Sequence, residues 1–322
     1  MPKNWSAMRI ETAGARPVAA SLPARTPGPK EVLVQMKAAA LNFADLLMAG
    51  GSYQETPPLP FVPGLEGAGE VIAAGEDVDL APGTRVAISA QGTMAEYGIF
   101  RASDCLPIPA RLSYAAAAGF QIAYGTSHLA LTARAGLRAG ETLAVLGAAG
   151  GVGLTAVEIG AALGARVIAI ARGADKLEAA AAAGAHELID SATCPDLKAA
   201  LRALGGVDVV YDPVGDAPGE AAFAALRPGG RFLVIGFAGG KPPKLPLNHA
   251  LVKNIAIHGF YWGGYLKLAP ELLRDSMTQL FDLVEKGLLH PHTGASYPLD
   301  RLPEAYDLLE SRKSIGKVIV EI

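Results

Sequence analysis

The sequence predicts an α/β chain in two domains, a β-rich, barrel-like domain followed by a doubly wound parallel sheet. Three observations carry this. Residues 1–120 are punctuated by Val62-Pro63-Gly64, Ala81-Pro82-Gly83 and Pro107-Ile108-Pro109, and they hold short alternating apolar runs such as Val32, Val34 and Met36. That is the pattern of short strands joined by irregular loops. From about residue 121 short apolar runs alternate with helical stretches, which predicts a parallel sheet with helices on both faces. The third observation is the segment 142–153, where an apolar run at 143–146 breaks into glycines and continues in a helical pattern at 154–163.

In the first domain a helix is predicted at 42–49, with Asn42 as its cap and Asp45 adding negative charge to its first turn. In the second, strands are predicted near 142–147, 166–171, 186–190, 207–211, 231–236 and 254–260, with helices at 151–163, 175–183 and 217–226 among those between them. Six strands suit a doubly wound dinucleotide-binding sheet, whose ligands bind beyond the strand C-termini where the strand order reverses. That rim comprises 147–153, Arg172, 211–215 and 236–240. After Gly263 follow helical patterns at 270–286 and 303–311 and a last strand at 317–322. This tail is expected to return to the first domain, leaving a cleft for a substrate. The expected organisation is therefore 1–120, 121–262 and a returning segment 263–322.

The glycine segment predicts a phosphate site. Its spacing is G-x-x-G-G-x-G, running through Ala149, Gly150, Gly151, Val152 and Gly153. Glycines at 150, 151 and 153 let backbone approach a phosphate, and the following helix aims free N–H groups and its positive dipole end at it. The bland alternative is a tight strand-to-helix turn, but the strand on each side and four small residues in a row exceed what a turn needs. The residue closing the second strand selects the nucleotide. A site for NAD places Asp or Glu there, whereas this chain has Arg172, with Lys176 four residues on. Asp175 is accounted for by a helix-start capping box with Glu178. Two cations beside a helix N-terminus predict a 2′-phosphate and hence NADPH.

Composition narrows the remaining classes. The formal net charge is −3 with no Lys/Arg cluster, which gives no basis for binding nucleic acid. The two cysteines, Cys105 and Cys194, are far apart and form no C-x-x-C pair, so neither a disulfide framework nor a structural zinc site is expected. No signal-peptide pattern opens the chain and no apolar run is long enough to span a bilayer, so a cytoplasmic protein with no membrane partner is expected. The six histidines form no i, i+4 pair on a helix; the nearest metal-like pair, His290-Pro291-His292, reads as an ordinary polar turn.

On several segments together the chain resembles the medium-chain dehydrogenase/reductase superfamily, in its zinc-free quinone oxidoreductase (zeta-crystallin-like) branch. They are Asn42-Phe43-Ala44-Asp45, Pro60-Phe61-Val62-Pro63-Gly64-Leu65-Glu66, the glycine segment, Asp208-Val209-Val210-Tyr211-Asp212-Pro213-Val214-Gly215 and Ile257-His258-Gly259-Phe260-Tyr261-Trp262-Gly263. The resemblance implies a GroES-like catalytic domain followed by a Rossmann cofactor domain. Zinc-using relatives carry a Cys ligand at the position of Asn42 and a His ligand at that of Leu65; both are missing here, and no metal is expected. It implies that Asn42 lies near the nicotinamide ribose and substrate, that Thr126 contacts the nicotinamide, and that Lys317 lies in a segment near the cofactor. Gly236 belongs to the cofactor rim, and Phe237 and Trp262 line the pocket or serve as core. Tyr53 matches a catalytic tyrosine of enoyl thioester reductases in the same superfamily, its alternative role being packing. One departure is Ser191, where several relatives place a tyrosine near the 2′-phosphate. The resemblance also implies a homodimer paired through the last strand of the cofactor domain.

Without a Lewis acid, a simple alcohol or an unactivated carbonyl is a poor substrate. A quinone or an α,β-unsaturated carbonyl asks less: alignment with the hydride donor, a hydrogen bond to the developing oxyanion, and a proton. The leading expectation is an NADPH-dependent reductase of such small molecules. A 2-enoyl thioester reductase, acting on CoA or carrier-protein esters, is the second. A non-catalytic NADPH-binding sensor or structural protein is the third, since fold does not fix function.

Overall fold

The computed structural model describes residues 3–322. The chain divides into two compact units, one comprising residues up to Ile122 together with Pro291–Ile322, the other Ala123–His290.

The first unit begins with an antiparallel pair, β1 (Asn4–Arg9) and β2 (Val18–Pro23). Its larger sheet centres on β3 (Glu31–Leu41), an 11-residue strand almost wholly buried. Helix α1 (Phe43–Ala49) follows directly. Then come β4 (Glu66–Ala74), β5 (Arg85–Ile88), β6 (Tyr97–Arg101) and β7 (Cys105–Pro107), and the short helix α2 (Tyr114–Ala118), capped by the Ser113 hydroxyl. Close pairing of β3 and β4 depends on Gly69, where a Cβ would stand 2.2 Å from the Gln35 carbonyl oxygen. Helix α3 (Gln121–Leu129) runs into one wider π-type turn, Ala130–Arg134, closed by Ala135 N–H donating to the Ala130 carbonyl.

The second unit is a six-stranded, all-parallel sheet. Its strands are β8 (Thr142–Leu146), β9 (Arg166–Ala171), β10 (Glu187–Asp190), β11 (Val207–Asp212), β12 (Leu226–Val234) and β13 (Ala256–Gly259). The connecting helices are α4 (Gly151–Ala162), α5 (Ala174–Ala182), α6 (Leu197–Ala203), α7 (Asp216–Ala225) and α8 (Leu247–Lys253). The spatial order β10-β9-β8-β11-β12-β13 reverses between β8 and β11, the switch point of a doubly wound dinucleotide fold. One face packs Ala144, Leu146, Ile168, Ile170 and Val210 against Leu201 of α6 and Phe223 of α7. On the other, Gly160 of α4 lies so close to Leu143 and Val167 that a Cβ would meet them at 2.6 and 3.2 Å.

Helices α9 (Tyr265–Leu268) and α10 (Pro270–Glu285) still belong to the second unit. The expected return to the first domain thus starts at Pro291, not at 263. Burial of Leu273, Met277, Leu280 and Val284 along one face of α10 gives the reason. From there β14 (Thr293–Pro298), α11 (Leu302–Glu310) and β15 (Lys317–Glu321) complete the first unit, with β15 antiparallel to β3. Among the described residues no helix is long and apolar enough to cross a membrane.

Candidate functional site

In the second unit the glycine segment forms the turn from β8 into α4. Gly147 has φ of +58°, a conformation that favours glycine. Gly150 sits at the helix N-cap with extended backbone, and the first helical bond is donated by Leu154 N–H to the Gly150 carbonyl. The N–H groups of Gly151, Val152 and Gly153 therefore have no partner within the helix and gather at its positive end, which suits an anionic phosphate. The glycines have different reasons. A Cβ on Gly153 would lie 2.1 Å from the Gly147 carbonyl oxygen, so this residue is small to let helix and turn meet rather than to admit a phosphate. The turn is braced by Ser127 of α3, whose hydroxyl donates to the Val152 carbonyl at 2.9 Å and meets the hydroxyls of Thr155 and Tyr211 at 2.8 and 2.9 Å. Burial pushes the Tyr211 phenol well above its ordinary range. Thr126, next to Ser127 in α3, is buried.

At the end of β9, Arg172 is exposed and Lys176 is half-buried on the first turns of α5. Burial, then repulsion from Arg172, lowers the Lys176 ammonium from its ordinary value. The capping box expected from Asp175 and Glu178 is not formed. Gly173, with φ of +86°, starts the helix one residue earlier and leaves Asp175 inside the first turn with no capping bond. Asp190 instead shapes this corner, accepting from Gly173 N–H at 3.0 Å and Ala192 N–H at 2.8 Å, and these bonds lower its carboxyl. At the rim near the switch point Asp212 accepts from Val214 and Gly215 N–H at 2.9 and 2.7 Å. Gly236 N–H donates to the Asp212 carbonyl, and Phe237 is 42% exposed. Trp262 is buried, and its indole nitrogen lies against Gly125, where a Cβ would stand 2.4 Å away.

In the first unit the sheet register brings three charged or polar side chains together. Val318 pairs with Leu41 and Ala40 with Glu66. Because side chains alternate along strands, Asn42, Glu66 and Lys317 emerge on one face at one end of β3, β4 and β15. They form a closed ring. Lys317 Nζ donates to Asn42 Oδ1 and to Glu66 Oε1, each at 2.7 Å, and Asn42 Nδ2 donates to Glu66 Oε1 at 3.0 Å. Glu66 Oε2 accepts from Ile122 N–H at the start of α3, at 3.1 Å. The side chains of Lys317 and Glu66 are 7% and 1% exposed, whereas Asn42 is half-buried. Asn42 keeps its N-cap place, but its amide is taken by the ring, and it is Asp45 Oδ2 that returns to accept the Asn42 N–H at 2.8 Å. Asp45 also accepts from Gly64 N–H at 3.2 Å, and burial pushes its carboxyl up to about 7. Tyr53 lies in the loop after α1 with its ring packed on the core of Met8, Ile10, Met48 and Phe61.

The sequence marks Asn42 and Lys317 separately and does not single out Glu66, the group that joins them. The available signal is a charged residue at the first position of each of two strands, β4 and β15. The ring does not fit a catalytic zinc. Its oxygens already hold an ammonium, and among the described residues no group of three or more His, Cys, Asp or Glu is placed to hold a metal ion.

Two family models match the chain: the alcohol dehydrogenase GroES-like domain over residues 28–110 and the zinc-binding dehydrogenase domain over 151–286. Quinone oxidoreductase-like protein 2 of Mus musculus is 37% identical over 303 residues, covering 92% of this chain and 87% of the relative. The synaptic vesicle membrane protein VAT-1 homolog of Homo sapiens is 31% identical, covering 91% and 79%. The quinone oxidoreductase of Thermus thermophilus, solved alone and in complex with NADPH, is 31% identical with a TM-score of 0.87, covering 98% of this chain and 100% of that one.

Proposed function

The chain belongs to the medium-chain dehydrogenase/reductase superfamily, in its quinone oxidoreductase branch, and from that membership we propose a zinc-independent NADPH reductase acting on a quinone or similarly activated α,β-unsaturated carbonyl. The observation that carries the reading is the Lys317 ammonium bonded to Glu66 and to Asn42, the residue at the position of a Cys zinc ligand in zinc-using relatives. Without a Lewis acid the protein must act on an acceptor that spreads negative charge by itself.

NADPH, when bound, supplies the hydride. The N–H groups at Gly151, Val152 and Gly153, with Ala149 and Gly150 in the turn, would hold its pyrophosphate. Arg172 and Lys176 would hold the 2′-phosphate. Thr126 would contact the nicotinamide, and Gly236 and Phe237 would border its site. Asn42 would donate a hydrogen bond to the acceptor oxygen as charge develops there, and Tyr53 would deliver the proton that completes reduction. Atoms balance as one hydride and one proton per carbonyl pair or activated double bond.

A second copy of the chain is the partner this reading includes. Strand β13 is an edge of the sheet, and Leu247, Leu251 and Val252 of the adjoining α8 are 70%, 78% and 74% exposed. Such a face favours pairing of two copies. Light scattering at twice the chain mass supports the pairing, and a monomer at micromolar concentration opposes it.

The test is NADPH oxidation with a quinone, a simple enone and a short enoyl-CoA side by side, for wild type and Tyr53→Phe. Quinone turnover that survives the mutation supports the quinone reductase. Enoyl-CoA turnover that collapses with it favours the thioester reductase and makes Tyr53 its proton donor. Tight NADPH binding with no turnover of any acceptor favours a sensor or structural role.

A further inference from the structure

An asparagine amide has two ends of nearly the same shape, and its neighbours decide which way it faces. At Asn42 the decision is made by groups that cannot change sides. An ammonium only donates, so Lys317 Nζ, 2.7 Å away, requires Oδ1. A carboxylate only accepts, so Glu66 Oε1, 3.0 Å away, requires Nδ2. Reversing the amide would set oxygen against carboxylate and N–H against ammonium. The Lys317–Glu66 bond fixes the two partners against each other as well.

The fold holds this ring from several sides. The Lys317 stem lies along Gly119, where a Cβ would stand 3.1 Å from its Cβ and Cγ and 3.2 Å from its Cε. Ile122 N–H fixes the far oxygen of Glu66, and Asp45 fixes the backbone of Asn42. One N–H of Nδ2 is committed to Glu66; the other has no partner among the described residues, and Asn42 is the one member of the ring that is not buried. What the ring presents is therefore a donor and not an acceptor.

We propose that Lys317 and Glu66 are positioning residues that lock the Asn42 amide with one N–H outward, making Asn42 a dedicated hydrogen-bond donor to the acceptor oxygen. The lock selects substrates that gain negative charge on an oxygen over alcohols, whose hydroxyl proton needs an acceptor. The inference rests on the reductase reading and names two residues through which that site works.

The test replaces the pair while keeping neutrality, Glu66→Gln with Lys317→Met, and adds Asn42→Ala, the triple variant and Lys317→Arg. With p-benzoquinone as acceptor, kcat of the pair variant is expected to fall about 100- to 1,000-fold, the range for a lost oxyanion donor. Asn42→Ala is expected to lose as much, the triple variant to lose no more than Asn42→Ala, and Lys317→Arg, which also only donates, to retain more activity than Lys317→Gln. A second readout needs no turnover. The side-chain NH2 resonances of Asn42, assigned by their absence in Asn42→Ala, should shift or broaden in the pair variant. A folded pair variant with wild-type kcat, a further loss in the triple variant, or unchanged Asn42 resonances would overturn the proposal. If the pair variant does not fold, Lys317→Arg against Lys317→Gln decides, with equal loss in both as the overturning result. If wild type reduces neither quinone nor enone, the reductase reading fails by itself, and the Asn42 resonances still decide the lock.

Discussion

Replacing Gly153 by alanine reads the cofactor turn directly. The added Cβ would stand 2.1 Å from the Gly147 carbonyl oxygen, 2.8 Å from its carbon and 3.0 Å from Ala148 Cα. All three are backbone atoms, so no side-chain rotation relieves the overlap, and helix α4 must part from the turn by about 1 Å to reach ordinary contact. Overpacking of this kind costs about 1–3 kcal/mol, here near the upper end because backbone must move. The gain from alanine over glycine in a helix offsets about 1 kcal/mol. The net of about 2 kcal/mol lowers Tm by about 3 °C for a chain of 322 residues. Binding suffers more. Displaced N–H groups lose charge-assisted bonds of about 1.5–3 kcal/mol each, so NADPH affinity should fall about 10- to 1,000-fold. Gly150→Ala is the control: its φ is −75°, and the nearest atom to an added Cβ is the Gly147 oxygen at 3.3 Å, so the fold should absorb it with little loss of Tm. Thermal unfolding with a fluorescence titration of NADPH measures both. Wild-type NADPH affinity in Gly153→Ala, or equal destabilisation by Gly150→Ala, would show that close contact at Gly153 does not hold the turn.

Arg172→Ala with Lys176→Ala should weaken NADPH about 10- to 100-fold, discounted for the exposure of Arg172, and leave NADH unchanged; parallel titrations check this, and an unaltered preference contradicts the 2′-phosphate assignment. The Asp45 carboxyl, raised from an ordinary 3.8 to about 7 in the fold, favours the native state fully below the lower value. Between the two the native state holds a proton the unfolded chain has lost, so this contribution, about 4 kcal/mol in all, disappears as pH rises toward 7 and is absent above it. Urea unfolding of wild type and Asp45→Asn at pH 5 and 8 should show the variant gaining relative to wild type at pH 8; a pH-independent difference is the contrary result. Gly125→Ala drives a Cβ to 2.4 Å from Trp262 Nε1 and 2.9 Å from Met277 Cε, and should destabilise by about 1–3 kcal/mol with a change in tryptophan fluorescence. Adding Trp262→Leu should restore part of that stability; if it restores none, the clash lies elsewhere.

The parallel sheet is legible in the sequence because most of its strands hold a short apolar run and most of its helices begin at glycine or polar residues. Strand β8 and helix α4 stand where the run at 143–146 and the pattern from 151 place them. Strand β12 reaches back to Leu226, beyond the expected 231, because Pro228-Gly229-Gly230 reads as a turn while the chain there remains paired to β11 at Leu226. The helices at 114–134 give little signal: a run so rich in alanine and other small residues has no polar face to set a period. The first long helix of the tail stands where its pattern places it, but nothing in that pattern says which unit receives its apolar side. At the candidate site, the glycine turn and Asn42 are visible because their chemistry is local. Glu66 and Lys317 are 251 residues apart, and only the register of three adjacent strands makes them neighbours. The Asp175 box fails for a local reason, since Gly173 in the left-handed region begins the helix earlier than the acidic residue suggests.

Reduction of an activated acceptor by NADPH, at a site whose fixed cation is Lys317, stands or falls with a single assay. NADPH oxidation by chelator-washed protein is followed with a quinone, an enone and a simple aldehyde, beside a metal determination on the same sample. NADPH should be consumed in step with quinone or enone and little with the aldehyde, with far less than one zinc per chain. Turnover that appears only when zinc is restored, or an aldehyde preferred over the activated acceptors, would contradict a metal-free reductase built on this lysine.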